Sequence, residues 1–200
     1  MKIKLEPASL IALAALLIGW LSFIFIFMFR KNPSPEPAPA RKRDRTSLAG
    51  LALQSVSYGV VWYVRRGTFA STGMFDKAGR IALAIVTLAL VVGSIWIMNA
   101  AVRTLGKEWS LSARLVDEHR LVTEGAYRLA RHPIYTGMLG MLLATGLAFS
   151  RPLALLFALL IFGVGTMIRV RSEEKLLREA FGAEYDAYAK RVPAILPFLL

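Results

Sequence analysis

Five apolar runs, at approximately 9–29, 48–64, 79–102, 133–150 and 153–170, leave this chain few folds to choose from. Each comes close to the ~20 residues, roughly 17–25, that a helix needs to cross the hydrocarbon core of a bilayer. In lipid, every backbone N–H and C=O must be paired within the protein, and a helix does so inside one segment. The expected fold is all-α: a polytopic membrane protein with about five transmembrane helices and a cytoplasmic amphipathic C-terminal helix. The first run, SLIALAALLIGWLSFIFIFMF, has an apolar core too long for a secretory signal and no small-residue cleavage site after it, so it is expected to be retained.

Between the first two runs lies RKNPSPEPAPARKRDR, whose alternating prolines cannot continue a helix and whose charge holds it in water. Only Arg151 and Pro152 separate the fourth and fifth runs, which predicts a tight antiparallel helical hairpin over 133–170. Gly137, Gly140 and Ala144 keep one face of the fourth run small, so a neighbouring helix can approach closely. Two regions are expected. Residues 1–102 hold three N-terminal spans with a Pro/Arg-rich linker at 30–47, and residues 103–200 hold the core that carries the chemistry.

The net charge is +12. In a soluble chain that would point to nucleic acid, but here the basic residues lie between apolar runs, so lipid headgroups are the expected partner and nucleic acid is not. Placing the N-terminus outside puts 30–47, 103–132 and 169–200 inside. Each carries six Lys/Arg, 18 of the 25 in the chain. Cytoplasmic loops of membrane proteins carry this excess, so these segments are expected to face the cytoplasm. The Ala/Leu/Arg-rich composition reads as bacterial, which makes the expected location a bacterial cell membrane. There is no cysteine and only two histidines, His119 and His132. Disulfides and thiolate metal sites are excluded, and no histidine-rich metal site is expected. No Gly-rich nucleotide loop follows a strand, which argues against a Rossmann domain.

Two clusters carry chemical side chains. In YRLARHPIYTG (127–137), Pro133 can open the fourth helix because the first turn has no internal partner for its N–H. His132 then falls at the helix entrance, where free N–H groups can hold a polar ligand, with Tyr135 and Gly137 close behind. Gly137 would leave room beside the helix for a ligand or a backbone. Read blandly, the same residues are a helix cap with interfacial anchors. In the second cluster, at 168–197, Arg169 and Glu173 are four apart and share a helix face, with Glu174 about 100° round. Charges at the end of a buried span are expensive unless paired or used. Leu177, Phe181, Tyr185, Tyr188 and Val192 then form the stripe of an amphipathic helix expected to lie at the interface.

Together these clusters resemble the isoprenylcysteine carboxyl methyltransferase and phospholipid methyltransferase family of integral membrane enzymes. The resemblance rests on LGKEWS (105–110), HRLVTEGAYRLARHPIYTG (119–137), RVRSEE (169–174), FGAEYDAY (181–188) and RVPAILP (191–197). It covers roughly the C-terminal half. It implies methyl transfer from S-adenosylmethionine to a lipid-like acceptor. By the same resemblance, the cofactor-binding positions are His119, Arg120, Leu121 and Val122 along the adenosine, Tyr127, the His132-Pro133-Ile134-Tyr135 loop with Gly137, and Glu173. Ser112 lies where a polar cofactor contact is found. Arg169 matches an arginine placed near the methyl acceptor. If the acceptor is a carboxylate, Arg169 can clamp it. If it is an amine or thiol, Glu174 is placed to take the proton. Tyr127 and Tyr135 offer aromatic surface to the adenine and the sulfonium. Two other readings compete: a membrane NADPH-dependent sterol-type reductase, and a non-catalytic membrane scaffold. Binding of S-adenosylmethionine, NADPH or neither separates the three.

Overall fold

Each of the five apolar runs lies within a helix, and local signals fix most of the helix ends. The computed structural model describes residues 7–29, 42–43, 46–65, 76–106, 114–115 and 120–196. Its helices are α1 (Pro7–Phe29), α2 (Thr46–Tyr63), α3 (Lys77–Leu105), α4 (Pro133–Phe149), α5 (Pro152–Phe181) and α6 (Ala183–Ala189), with a short 3-10 helix at Gly125–Arg128. Pro7, Pro133 and Pro152 each sit in a first turn, where no N–H is needed. Asp76 caps α3, its carboxylate accepting from the Gly79 N–H at 2.8 Å. The two-residue strands β1 (Lys42–Arg43) and β2 (Arg114–Leu115) pair antiparallel.

Among the described residues, α3 and α5 are long and apolar enough to cross a membrane by length and composition. Leu10–Ile26 within α1 and all of α4 are shorter apolar helices. Large apolar side chains on α1, α3 and α5, such as Leu17, Trp96 and Leu160, face outwards, as expected where lipid replaces water.

Close helix contact is made through small residues. A Cβ built on Gly137 would lie 2.3 Å from Met98 Cγ, and one on Gly140 would lie 2.1 Å from Ser94 Oγ, so α3 packs directly on α4 there. The room beside Gly137 is thus taken by the backbone and side chains of α3, the second of the two occupants expected for it. Gly50 of α2 and Gly165 of α5 meet in the same way, each Cβ falling 2.6–2.7 Å from the other's carbonyl oxygen.

The α4–α5 hairpin is tight at its turn, where a Cβ on Gly146 would strike Leu155 Cδ1 at 2.3 Å. Away from the turn α2 braces both helices. Tyr58 Oη donates to the Met138 carbonyl at 2.7 Å, and Gln54 Nε2 donates to Thr166 Oγ1 at 2.8 Å. α2 runs antiparallel to α5: Gly50 lies beside Arg169, and Arg65 bridges to Ser150 at the other end. One end of the bundle therefore gathers the start of α2, the end of α5, α6 and the entrance of α4. The other end gathers Val64, Arg65, Ser150 and Arg151.

The C-terminal amphipathic helix differs from expectation. α5 runs on unbroken to Phe181 and stops at Gly182, whose φ of +47° is a left-handed value that L side chains rarely adopt. The aromatic stripe is thus split between α5 and α6. Tyr185 and Tyr188 are buried against the protein itself and do not lie on a bilayer surface.

Candidate functional site

The entrance of α4 is occupied by the chain's own C-terminal segment. The Arg131 and His132 N–H groups donate to the Pro193 and Ala194 carbonyls, both at 2.8 Å. Thr136 Oγ1 donates to the Ile195 carbonyl. Arg131 Nη1 donates to the carbonyls of Ala189 (2.8 Å) and Val192 (2.5 Å). The N–H of His132 is therefore taken by protein, and the polar ligand expected at this entrance must use side chains instead. VPAI, residues 192–195, is laid along the start of α4 because a helix entrance exposes donors and an irregular segment carries spare carbonyls.

Beneath this strap the two sequence clusters meet. His132 lies between both glutamates, with Nδ1 3.2 Å from Glu173 Oε2 and Nε2 3.3 Å from Glu174 Oε1. Tyr135 Oη donates to Glu173 and accepts from Arg169 Nε at 2.6 Å. Arg169 Nη2 lies 3.5 Å from Glu173 Oε1. Arg169 is buried. It turns into the bundle and does not reach out to headgroups, because Tyr135 and Glu173 offer it partners there. Its guanidinium carbon is 5.3 Å from the Tyr135 ring centroid, and the His132 ring stacks on that ring at 5.7 Å. The Tyr135 ring is thus engaged by two neighbours.

The two glutamates differ. The Glu173 side chain keeps 24% of its surface exposed, against 9% for Glu174. Glu174 is ringed by Arg131 Nη2 at 2.9 Å, His132 at 3.3 Å and Arg178 Nη2 at 3.3 Å. A carboxylate held by three cationic groups is stabilised in its charged form. These contacts make Glu174 the ionic hub of the cluster. Burial opposes a charge on His132, but hydrogen bonds and the negative charge of Glu173 and Glu174 outweigh it and hold its pKa above that of an ordinary imidazole.

The remaining expected positions spread along one side of the site. Val122, Ala126 and Tyr127 pack with Ile97 and Ala101 at the end of α3, with Ile134 against them. Tyr188 Oη donates to the Tyr127 carbonyl at 2.7 Å, tying α6 to that segment. Leu121 is half-buried, Pro133 is buried, and Arg120 is exposed and paired with Glu124 at 3.1 Å. Ser112 and His119 lie outside the described residues. The sequence does not single out Arg131, because an arginine at a membrane edge looks like an anchor. The signal available was its place directly before His-Pro.

Beside the cluster is a cavity of about 730 Å³ between α4, α5 and the C-terminal strap. Leu139, Leu159, Phe162 and Gly163 supply apolar lining, and Thr166, Arg131 and Lys190 supply polar lining. Such a mainly apolar space with a few polar groups at one end suits an amphiphile.

A helical bundle with a buried ionic cluster at one end of a helix pair and a mainly apolar cavity near it is an architecture of the membrane-associated class. The chain belongs to the phospholipid methyltransferase family, whose model matches residues 82–184. It is similar to a probable protein-S-isoprenylcysteine O-methyltransferase of Oryza sativa subsp. indica, 36% identical over 116 residues, which are 57% of this chain and 61% of that protein. It is also similar to protein-S-isoprenylcysteine O-methyltransferase B of Arabidopsis thaliana, 34% identical over 113 residues, 55% and 56% of the two chains. A third similar protein is the cobalt-zinc-cadmium resistance protein CzcN of Cupriavidus metallidurans, 36% identical over 110 residues, 51% and 47% of the two chains. The match thus spans about three-fifths or less of these curated relatives.

Proposed function

We propose that this chain is an integral membrane methyltransferase that moves a methyl group from S-adenosylmethionine to a lipophilic acceptor. The observation that carries the reading is the cavity of about 730 Å³ lined by Arg131, which is bound to Glu174 and precedes His132, and by Thr166, one turn before Arg169, in a chain of this family. The relatives' names support an acceptor of the isoprenylcysteine carboxylate kind. A lipid carboxylate, amine or thiol is also compatible with the cavity.

The donor set fits the cofactor. Glu173 is the more accessible carboxylate of the pair, so it can accept from ribose hydroxyls or offset an ammonium. His132 offers a ring nitrogen beside it, and Tyr127 and Val122 supply the apolar wall that an adenine requires. Bound S-adenosylmethionine supplies a methyl group already activated by its sulfonium. The protein's own work is alignment and exclusion of water, which can contribute many orders of magnitude in rate. Arg169, buried one turn before Glu173, presents a planar fork that orients a carboxylate acceptor in two-pronged geometry. Arg131 and the strap it holds form one wall of the cavity. Glu174 keeps Arg131, His132 and Arg178 in place.

The test combines binding and transfer. Purified protein should bind S-adenosylmethionine by calorimetry, and membranes given methyl-labelled cofactor should yield a labelled lipid. Glu173→Gln should weaken cofactor binding by about ten- to a hundredfold, the range for losing hydrogen bonds to a charged group, ~1.5–3 kcal/mol. Binding of NADPH instead, or of neither, would remove the proposal.

Five membrane crossings, an outside N-terminus and a cytoplasmic site in a bacterial cell membrane complete the reading. The charge distribution supports it: the end of the bundle that carries the cluster also carries Arg171, Lys175, Arg178, Lys190 and Arg191. On this cysteine-free sequence, cysteines at Thr123 and Glu184 are expected to resist an impermeant thiol reagent added to intact cells, and one at Lys77 to react. The reverse labelling pattern would invert the orientation.

A further inference from the structure

α2 buries an unusual face. Ser47, Gly50, Gln54 and Ser57 are all inside, packed towards α5. Gln54 is 1% exposed and lies outside the family match. An amide inside a membrane bundle is costly unless it is paired or used. Only one end of this one is paired: Nε2 donates to Thr166 Oγ1 at 2.8 Å, and Oε1 has no partner among the described residues.

Thr166 is unusual as well. Threonines in helices commonly return their proton to their own backbone. Thr104 donates to the Ala100 carbonyl at 2.9 Å, and Thr145 to the Met141 carbonyl at 2.8 Å. Thr166 makes no such bond to α5. Its oxygen accepts from Gln54, which leaves its O–H proton to be donated elsewhere. Thr166 lines the cavity, and the lining residues nearest it along α5, Phe162 and Gly163, have no side-chain hydrogen-bonding group. It sits three residues before Arg169, about 4.5 Å along the helix axis at 1.5 Å per residue.

We propose that Gln54 and Thr166 form a specificity site in the cavity wall that donates a hydrogen bond to a carbonyl oxygen of the bound amphiphile, an amide or ester lying close to its reacting head. Gln54 is the positioning residue: it fixes the hydroxyl oxygen, so the proton turns to the cavity. Thr166 makes the contact. The ligand class is therefore an acyl or amide-bearing amphiphile, and not one whose chain is plain hydrocarbon up to the head. This inference rests on the cavity's being the acceptor site. The alternative, that the pair is only glue between α2 and α5, predicts effects on stability alone.

Two probes of matched length distinguish the readings. N-dodecanoylglycine carries an amide carbonyl separated from its carboxylate by one NH–CH2 unit, and pentadecanoic acid lacks the amide. Binding is measured on the full chain in lipid nanodiscs, with empty nanodiscs as the partition control. The wild type should prefer the amide probe by about fivefold, the scale of one neutral hydrogen bond. Thr166→Val, which keeps the shape, should bring the ratio to about one, and Thr166→Ser should retain the preference. Gln54→Leu should lower it, because the hydroxyl is then free to turn onto its own helix. S-adenosylmethionine binding should be unchanged in all three. Equal binding of both probes by the wild type, or an unaltered ratio in Thr166→Val or Gln54→Leu, overturns the inference and leaves the cavity reading standing. Binding of neither probe above the control overturns both.

Discussion

Replacing Gly163 by Phe is expected to lower methyl transfer by at least about a hundredfold, ~2.7 kcal/mol in the barrier, while cofactor affinity and thermal stability stay near the wild type. Gly163 lines the cavity, and a Cβ built on it meets no atom within 4 Å. Gly163 is exposed at the cavity, so a benzyl group there meets no packed neighbour and can lie across the space that the acceptor is proposed to use. Gly165, two residues on, provides the control. A Cβ there would lie 2.7 Å from the Gly50 carbonyl and 2.9 Å from Leu53 Cβ, so a side chain forces α2 away from α5. Gly165→Val should lose stability, whereas Gly163→Phe should lose only turnover of the lipid acceptor. Normal turnover in Gly163→Phe, with the labelled lipid unchanged, would move the acceptor out of this cavity.

The two glycines also mark what the sequence could and could not convey. Long apolar runs are a local signal, and 79–102 and 133–150 lie within about three residues of α3 and α4 because length and hydropathy suffice to find them. Pro133 and Pro152 announced helix starts for a similarly local reason. Which face of α5 packs on α2 is a non-local fact. Gly163 and Gly165 look alike in the string GVG, and only the position of Gly50 separates them. The same limit explains Gly137, whose small face suits a ligand or a backbone equally in the sequence and is taken by Met98 and the Ser94 carbonyl in the fold. It explains the strap too: nothing near Arg131 says that the Ala189 and Val192 carbonyls will come to it from about sixty residues on. His132, Tyr135, Arg169 and Glu173 could be selected because motif resemblance is carried by residues, not by contacts. Their mutual hydrogen bonds, and the division of labour between Glu173 and Glu174, required the fold.

Glu174 is where the two levels of reading lead to opposite experiments. As a proton acceptor it would be dispensable for folding: Glu174→Leu would abolish transfer to an amine or thiol and leave the protein intact. As the ionic hub its removal strands several charges. Arg131, 14% exposed, would keep its bonds to Ala189 and Val192 but lose its counter-charge, and His132 would lose one of its two carboxylates. Arg178 matters less, since it is half-exposed and also paired with Asp186 at 3.2 Å. Breaking a buried pair by removing one partner costs about 3–5 kcal/mol, and Arg131's remaining bonds put this site near the lower figure, ~3. For a chain of this size that is a fall of about 6–12 °C in the unfolding midpoint. The strap should loosen with it, so limited proteolysis ought to cut within 189–196 in Glu174→Leu and spare the wild type. The double variant Glu174→Leu/Arg131→Met, which removes the stranded charge along with its partner, should recover part of the lost midpoint. A wild-type midpoint and an intact C-terminus in Glu174→Leu, with transfer abolished, would return Glu174 to the chemistry and take the hub away.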